Sequence, residues 1–402
     1  MSSLPRVTLK AHKEAPLKAG HPWIFSEALT APLSVAPGSL VEVYSSYGDC
    51  LGIGTYNPLT SIRVRMLTRN ATEPIDARYF SKRFTTLNTW KQSHLPAETT
   101  GYRLVHAEAD GIPGLIVDRY ADTYVFQIHT AGMELLRSAI IQALKETFKP
   151  EVIVERSDVS VRHREGLTDE PITVHHGKVT EPVKFQEAGL WFLADVLKGQ
   201  KTGFFLDQRD ARLAVQARAK GKRVLNLFGY SGAFSVHAAK GGATFVATVD
   251  SSRPALEQAE QNLTLNGFDA NDETRFLSLE ADVLELLDDN KLPGAPYDFI
   301  VCDPPAFAKS EAKLPQALKA YTELNTACLK LLSAGGILVT SSCSGRVSED
   351  DFRSLLRLAA GRARQEVRVL AWITQPIDHA EALAFSEGRY LKTAILEVTA
   401  RL

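Results

Sequence analysis

Cysteine is scarce. The 402-residue chain has four, at positions 50, 302, 328 and 343, with no C-x-x-C pair and no spacing suited to a metal ion. That pattern excludes a disulfide-stapled domain and a structural zinc site, so a reduced, metal-free, cytoplasmic protein is expected. Net charge is nearly absent as well: 46 lysines and arginines face 47 acids, for a formal charge of -1. No global field then draws a polyanion, and any nucleic-acid contact has to come from a local basic patch. No apolar run is long enough to cross a bilayer, and Met1-Ser2-Ser3-Leu4-Pro5-Arg6 lacks an apolar signal-peptide core, so no membrane association is expected. Internal repeats and low-complexity tracts are missing, and so is the dinucleotide fingerprint G-x-G-x-x-G, which argues against a nicotinamide-dependent dehydrogenase.

What the chain does have is 45% hydrophobic residues over a length beyond the usual growth of one core. Two or three domains are therefore expected. Residues 1–72 alternate short apolar runs with turn residues such as Pro37-Gly38, Gly48-Asp49 and Asn57-Pro58, which predicts a small all-β unit. Period-two alternation over residues 62–67 places Arg63 and Arg65 on one face of a strand. Residues 73–195 read as a central α+β unit. Asp76 caps a helix towards Trp90, residues 114–118 and 124–128 form a hairpin, residues 133–148 an amphipathic helix, and residues 152–155 and 190–193 further strands. From residue 196 to 402 the rhythm is that of an α/β domain. Near-continuous apolar strands over 223–228, 244–249, 297–302 and 336–340 alternate with helices over 254–266 and 315–332, as in a parallel sheet covered on both faces.

The first of these strands runs into Phe228-Gly229-Tyr230-Ser231-Gly232 and then a helix. Glycines at such a turn let backbone approach a ligand closely, and the helix start presents free amides. The second strand ends at Asp250-Ser251, where a carboxylate can accept hydrogen bonds from both hydroxyls of a ribose, and Asp282 ends the third, on the adenine side. Any one of these aspartates reads equally as a helix cap; consecutive βα junctions that each carry the expected residue point to a nucleoside-containing cofactor. The fourth strand ends in Asp303-Pro304-Pro305-Ala306-Phe307, a turn stiffened by its prolines.

With those junctions the chain resembles a class I S-adenosylmethionine-dependent methyltransferase, whose sheet is Rossmann-like. Three segments are more particular: Gly20-His21-Pro22-Trp23-Ile24-Phe25, Gly199-Gln200-Lys201-Thr202-Gly203-Phe204-Phe205-Leu206-Asp207-Gln208-Arg209, and Glu387-Gly388-Arg389-Tyr390-Leu391-Lys392. Together they resemble the ribosomal RNA large-subunit methyltransferase I family over nearly the whole chain. The resemblance implies a PUA-like RNA-binding domain, a central α+β domain and a methyltransferase domain acting on a cytosine of 23S ribosomal RNA, in a homodimer. Phe228, Gly229, Tyr230, Ser231, Gly232, Asp250, Ser251, Asp282 and Asp303 are the expected cofactor-binding residues, with Gln208 and Arg209 as neighbours.

Cytosine C5 is a weak nucleophile, so its methylation needs transient covalent addition of a thiolate at C6. Cys343 closes the predicted strand over 336–340. Alone, a free cysteine there is a packing residue; beside Asp303 at the carboxyl edge of an open parallel sheet it is the expected nucleophile, with Asp303 the acid that orients the base. Cys302 and Cys328 lie in apolar runs and are expected to pack as small hydrophobes. Better-known RNA cytosine-C5 methyltransferases carry a second cysteine after the proline of this loop; this chain has Ala306 there, and no base for the C5 proton is identified. Methyl transfer to a purine nitrogen is the first alternative, since Asp-Pro-Pro-aromatic turns also serve that reaction. A non-catalytic RNA-binding factor is the second. RNA contacts are expected from Arg6, Lys10, Lys13, Lys18, Arg63, Arg65 and Arg69, and from Arg162-His163-Arg164, all of which read equally as solvated faces. Trp23 and Phe25 are expected to belong to the core.

Overall fold

The alternating runs of the N-terminal segment form a five-stranded sheet from β1 (Arg6–Thr8), β2 (Trp23–Phe25), β3 (Ser39–Tyr44), β4 (Cys50–Tyr56) and β5 (Ile62–Thr68), in the order β1-β3-β4-β5-β2. A short helix, α1 (Ala15–Lys18), lies between β1 and β2. Only β1 and β3 are parallel. Val7, Val41, Val43, Tyr56 and Val64 fill one core. The computed structural model describes residues 4–288, 292–308 and 310–401. By contacts the chain divides into one unit that runs to Gly189 and adds Ala194–Leu206 and Ile377–Gly388, and a second made of Leu190–Leu193, Asp207–Pro376 and the chain from Arg389 onward.

Two expectations for the basic residues of the first unit are corrected. Arg65 does not share a wet face with Arg63, because the second half of β5 is covered on both sides. Its guanidinium is buried, with Nη2 2.7 Å from Glu165, while Arg63 donates to the carbonyls of Asn57 and Pro58. Arg162 is no RNA contact either. It is 1% exposed, donates from Nε to Thr168 O at 2.8 Å and from Nη1 to Ile128 O at 2.9 Å, and lies 3.0 Å from Glu134. A long cation with that many buried acceptors organises the segment around it. Arg162→Ala should therefore lower the stability of this unit by about 3–5 kcal/mol, because the carbonyls of Ile128 and Thr168 lose their donor and Glu134 loses one of its two cationic partners; an unchanged denaturant midpoint would contradict this.

The rest of the unit places α2 (Ala77–His94) against a second five-stranded sheet, β10-β9-β8-β7-β6, made from β6 (Gly101–His106), β7 (Leu115–Tyr120), β8 (Thr123–Ile128), β9 (Val152–Glu155) and β10 (Thr173–His176). Asp76 caps α2 as expected, its Oδ1 accepting from the amides of Arg78 and Tyr79. The amphipathic segment expected over 133–148 is two helices, α3 (Ala131–Leu135) and α4 (Arg137–Phe148). Leu136 leaves helical geometry at φ -97, ψ 3, and its amide turns back to Met133 O, a break that apolar periodicity does not register. The next strands are β11 (Val183–Glu187) and β12 (Leu190–Ala194).

The second unit holds the expected α/β sheet. Its seven strands are ordered β15-β14-β13-β16-β17-β19-β18, from β13 (Arg223–Leu227), β14 (Phe245–Asp250), β15 (Phe276–Glu280), β16 (Phe299–Cys302), β17 (Ile337–Ser342), β18 (Gln365–Ile373) and β19 (Lys392–Arg401). The first five named in that order pair in parallel; β19 runs antiparallel to β17 and β18. The helices are α5 (Arg209–Gln216), α6 (Ala233–Lys240), α7 (Arg253–Leu265), α8 (Val283–Asp288), α9 (Leu314–Leu331) and α10 (Glu349–Ala363). Leu225, Ile300, Cys302, Cys328, Leu338 and Phe352 belong to one cluster beneath α9 and α10. Because the chain passes from β13 to β14 and β15 on one side and then crosses back to β16 on the other, the strand order reverses between β13 and β16, and a crevice opens at their carboxyl ends. No helix among the described residues is long and apolar enough to cross a membrane.

Candidate cofactor and active site

Register brings the expected site residues to one edge. Leu227 stands opposite Val249 on one side and Cys302 on the other, and Cys302 stands opposite Thr340. The residues that follow, Phe228, Asp250, Asp303 and Cys343, therefore lie at the carboxyl ends of four adjacent strands, about 5 Å apart from strand to strand.

The turn after β13 is bent into an unusual backbone shape. Phe228, Tyr230 and Gly232 have φ values of 57, 45 and 72. Two non-glycine residues held in the left-handed region cost roughly 1–3 kcal/mol each and are characteristic of ligand-binding turns. Gly232 cannot be replaced at all easily: besides its φ, an added Cβ would sit 2.5 Å from Ala259 Cβ on α7. The turn is locked to β14, for Gly229 N donates to Val249 O at 2.9 Å and Tyr230 N donates to Asp250 Oδ2 at 2.8 Å. Asp250 Oδ1 accepts from Ser252 N at 3.0 Å. Each oxygen thus spends one lone pair on orientation and keeps another, so the carboxylate is a fixed, bidentate acceptor for two hydroxyls.

Asp282 is exposed, and its Oδ1 caps α8 by accepting from the amides of Leu284 and Glu285. Its cap role and an edge role towards a ligand are compatible, since only one oxygen is engaged in those bonds. Ser251 is exposed beside Asp250. Gln208, in a 3-10 turn at Leu206–Gln208 that leads into α5, is 3% exposed and donates from Nε2 to Asp303 Oδ1 at 2.8 Å. Its Oε1 is buried with no hydrogen-bond partner among the described residues. An orphaned acceptor of that kind fits the ammonium of an amino-acid moiety. Arg209 is fully buried at the start of α5. Between them these residues match a ligand that carries a ribose and an α-amino acid.

Cys343 is half-buried just past β17. Ser344 ties its loop to the Asp303-Pro304-Pro305 loop by donating to Ala308 O at 3.0 Å. Cys302 and Cys328 are fully buried; hydrogen bonding to Cys328, then burial, pushes the Cys302 thiol well up, so it stays protonated and inert as expected. Two residues here have no site role assigned from the sequence. Tyr321 of α9 is fully buried with its ring 4.7 Å from Phe307; burial raises its phenol above the ordinary value, Ser342 opposes this by hydrogen bonding, and Cys343 and Asp303 add to it. Lys392 opens β19 directly opposite Ser342. Helical periodicity hides the first among core positions, and only strand pairing reveals the second.

In the first unit, His21 lies 3.3 Å from Glu387, and the ring of Trp23 lies 4.8 Å from that of Phe385. Two of the three distinctive segments therefore meet. Trp23 is half-buried and donates from Nε1 to Glu108 at 2.9 Å, consistent with a packing role. In the second unit Tyr390 donates to Asp207 Oδ2 at 2.8 Å, joining the segment over 387–392 to the one over 199–209. Arg6, Lys10, Lys13, Lys18 and Arg69 are exposed. No cluster of three or more metal-ligating side chains occurs among the described residues.

Residues 142–372 match the model of the S-adenosylmethionine-dependent methyltransferases, and residues 7–69 that of the PUA-like domain. A protein of Aeromonas salmonicida named ribosomal RNA large subunit methyltransferase I is 40% identical over 386 residues, covering 96% of this chain and 97% of its own length. One of the same name from Shewanella denitrificans is 39% identical over 396 residues, 98% of this chain and 99% of its own. A Streptococcus mutans structure described as a SAM-dependent methyltransferase superposes with a TM-score of 0.81 at 24% identity, over 98% of this chain and 100% of its own. A methyltransferase structure complexed with S-adenosylhomocysteine superposes at 0.82, also at 24% identity, over the same shares. At that identity the structural likeness is one of fold.

Proposed function

This chain belongs to the ribosomal RNA large subunit methyltransferase I family, and on that premise we propose that it methylates C5 of a cytosine in 23S ribosomal RNA through a covalent adduct with Cys343. Its cofactor is S-adenosylmethionine. The observation that supports the cytosine reading is the nearness of a half-buried thiol, Cys343, to Asp303 on the next strand of the cofactor sheet.

In this reading Asp250 accepts from the ribose hydroxyls, the turn from Phe228 to Gly232 packs against the cofactor, and Gln208 orients both the amino-acid end and Asp303. Asp282 and Ser251 line the nucleoside side, with Arg209 supporting from beneath. The Cys343 thiolate adds to C6 of the cytosine, and the electrons of the C5–C6 double bond shift towards N3. Asp303 supplies a hydrogen bond or proton at N3 and so holds the charge that develops there. Bound S-adenosylmethionine supplies an electrophilic methyl group to C5. Loss of the C5 proton to water or a neighbouring base then restores the double bond as the S–C6 bond breaks, which frees Cys343. The two prolines after Asp303 keep its carboxylate at a fixed distance from the base.

Residues 1–72 serve as the RNA-binding part in this scheme, through the exposed Arg6, Lys10, Lys13, Lys18 and Arg69. Residues 73–195 form the central domain and residues 196–402 the catalytic one. Nucleoside mass spectrometry of 23S RNA from cells lacking the protein should show loss of one 5-methylcytidine, restored by the gene. Loss of a methylated purine instead would overturn the C5 assignment and leave the methyltransferase assignment standing.

A further inference from the structure

We propose that Lys392 is the positioning and charge-compensating residue for Cys343: its ammonium pins the loop that carries the thiol and stabilises the thiolate form. The inference rests on Cys343 being the nucleophile, and it concerns a residue one strand away from any group that touches the base.

Lys392 is the first residue of β19 and pairs with Ser342, the residue immediately before Cys343. It is 5% exposed. Burying a lysine is costly unless its donors are used, and here they are used on one short loop. Nζ donates to Ser344 O at 2.7 Å and to Val347 O. These two carbonyls lie just beyond Cys343, so the loop folds around the ammonium. The third N–H has no protein acceptor among the described residues. Because Ser344 Oγ also donates to Ala308 O, the cation holds a loop that is itself joined to the Asp303 turn.

The charge has a second consequence. Three acidic groups face the Lys392 ammonium: Cys343 on its own loop, and Asp351 and Glu349 at the start of α10. Cys343 is the foremost of them. Tyr321 of α9 faces Cys343, and Asp303 follows the neighbouring strand β16; both would repel a thiolate when ionised. Lys392 is therefore a cation placed to offset a negative sulfur in a partly desolvated position. Burial lowers the pKa of Lys392 to about 8, with Cys343, Asp351 and Glu349 acting against the shift. The ammonium is thus charged at pH 7 and is lost as pH rises through about 8. On ionisation the thiol proton leaves to solvent; nothing else is consumed.

The test is the pH dependence of iodoacetamide alkylation at Cys343 in the full chain, read by mass spectrometry of the peptide that carries it. The half-buried Cys50 then does not interfere. In Lys392→Met the thiol should react about tenfold more slowly at pH 7, the equivalent of one pKa unit, and Lys392→Arg should restore most of the rate. Methyl transfer at pH 7 should fall in kcat by a similar factor, with KM for S-adenosylmethionine unchanged. If Lys392→Met fails to fold, the wild-type profile decides. Coupled titration of Cys343 and Lys392 should spread its alkylation curve over a wider range than one group gives, while a single-site curve at the ordinary thiol value would overturn the proposal. An unchanged profile in folded Lys392→Met would overturn it as well. The nucleophile assignment fails separately, if Cys343→Ala retains methylation, and the alkylation profile would still report on Lys392.

Discussion

Cys343→Ala should abolish methyl transfer, with a loss of at least about 10⁴-fold in turnover, while binding of S-adenosylmethionine stays within a factor of about two. The asymmetry follows from what each residue does. Cys343 follows a strand two places from that of Phe228 and three from that of Asp250, so it is near the reacting base rather than in the turn that cradles the cofactor. Its side chain is partly exposed and contributes little to the core, so alanine leaves the sheet intact. The two other thiols of this unit cannot substitute. Cys302 and Cys328 are fully buried, and their mutual hydrogen bond holds the Cys302 proton. Without addition at C6, cytosine C5 does not become nucleophilic, and no partial route is open. Incorporation of labelled methyl into unmodified 23S RNA, alongside calorimetric cofactor titration, measures both effects. Full activity in the variant would sink the covalent mechanism, and loss of cofactor binding would show that the residue is structural.

Asp303→Ala is expected to have the second largest effect, a fall of about 10²–10⁴ in kcat, because stabilisation of charge at N3 is lost in the step that creates it. Here a second consequence is built in. Gln208 Nε2 donates to Asp303 Oδ1 at 2.8 Å from a buried position, so the alanine variant leaves that amide unpaired and should also raise KM for the cofactor several-fold. Asp303→Asn separates the roles. Its carbonyl oxygen accepts from Gln208 as before, and its amide still donates a hydrogen bond to the base but carries no acidic proton. Cofactor affinity should return to the wild-type level while kcat remains depressed, by less than in alanine. Equal loss in both variants, with wild-type cofactor binding, would mean that Gln208 takes no part.

The contrast between Arg65 and Arg6 shows where sequence reading runs out. Both stand in the N-terminal β unit and both are arginines flanked by apolar residues. Arg6 is exposed, with its guanidinium stacked 3.4 Å above the Tyr44 ring, whereas Arg65 is buried against Glu165 and Glu108. Alternation tells which residues share a face of a strand; it does not tell whether another element covers that face. The same holds for Arg162, whose acceptors come from Ile128, Glu134 and Thr168. Basic residues are read as RNA contacts from composition, but half-chain contacts decide which of them are free to meet a phosphate.

The parallel strands, the cofactor turn, the acidic residue at the tip of β14 and the Asp-Pro-Pro turn were all determined by sequence, because each depends on interactions within a few residues: apolar continuity, glycine at a left-handed backbone position, and proline stiffness. The bonds between Gln208 and Asp303, the joining of Tyr390 to Asp207 and the placing of Lys392 behind Cys343 were decided only by tertiary structure. Each brings together groups that are distant in the chain, and each depends on strand register, which is set by how whole faces of the sheet are buried rather than by any local preference.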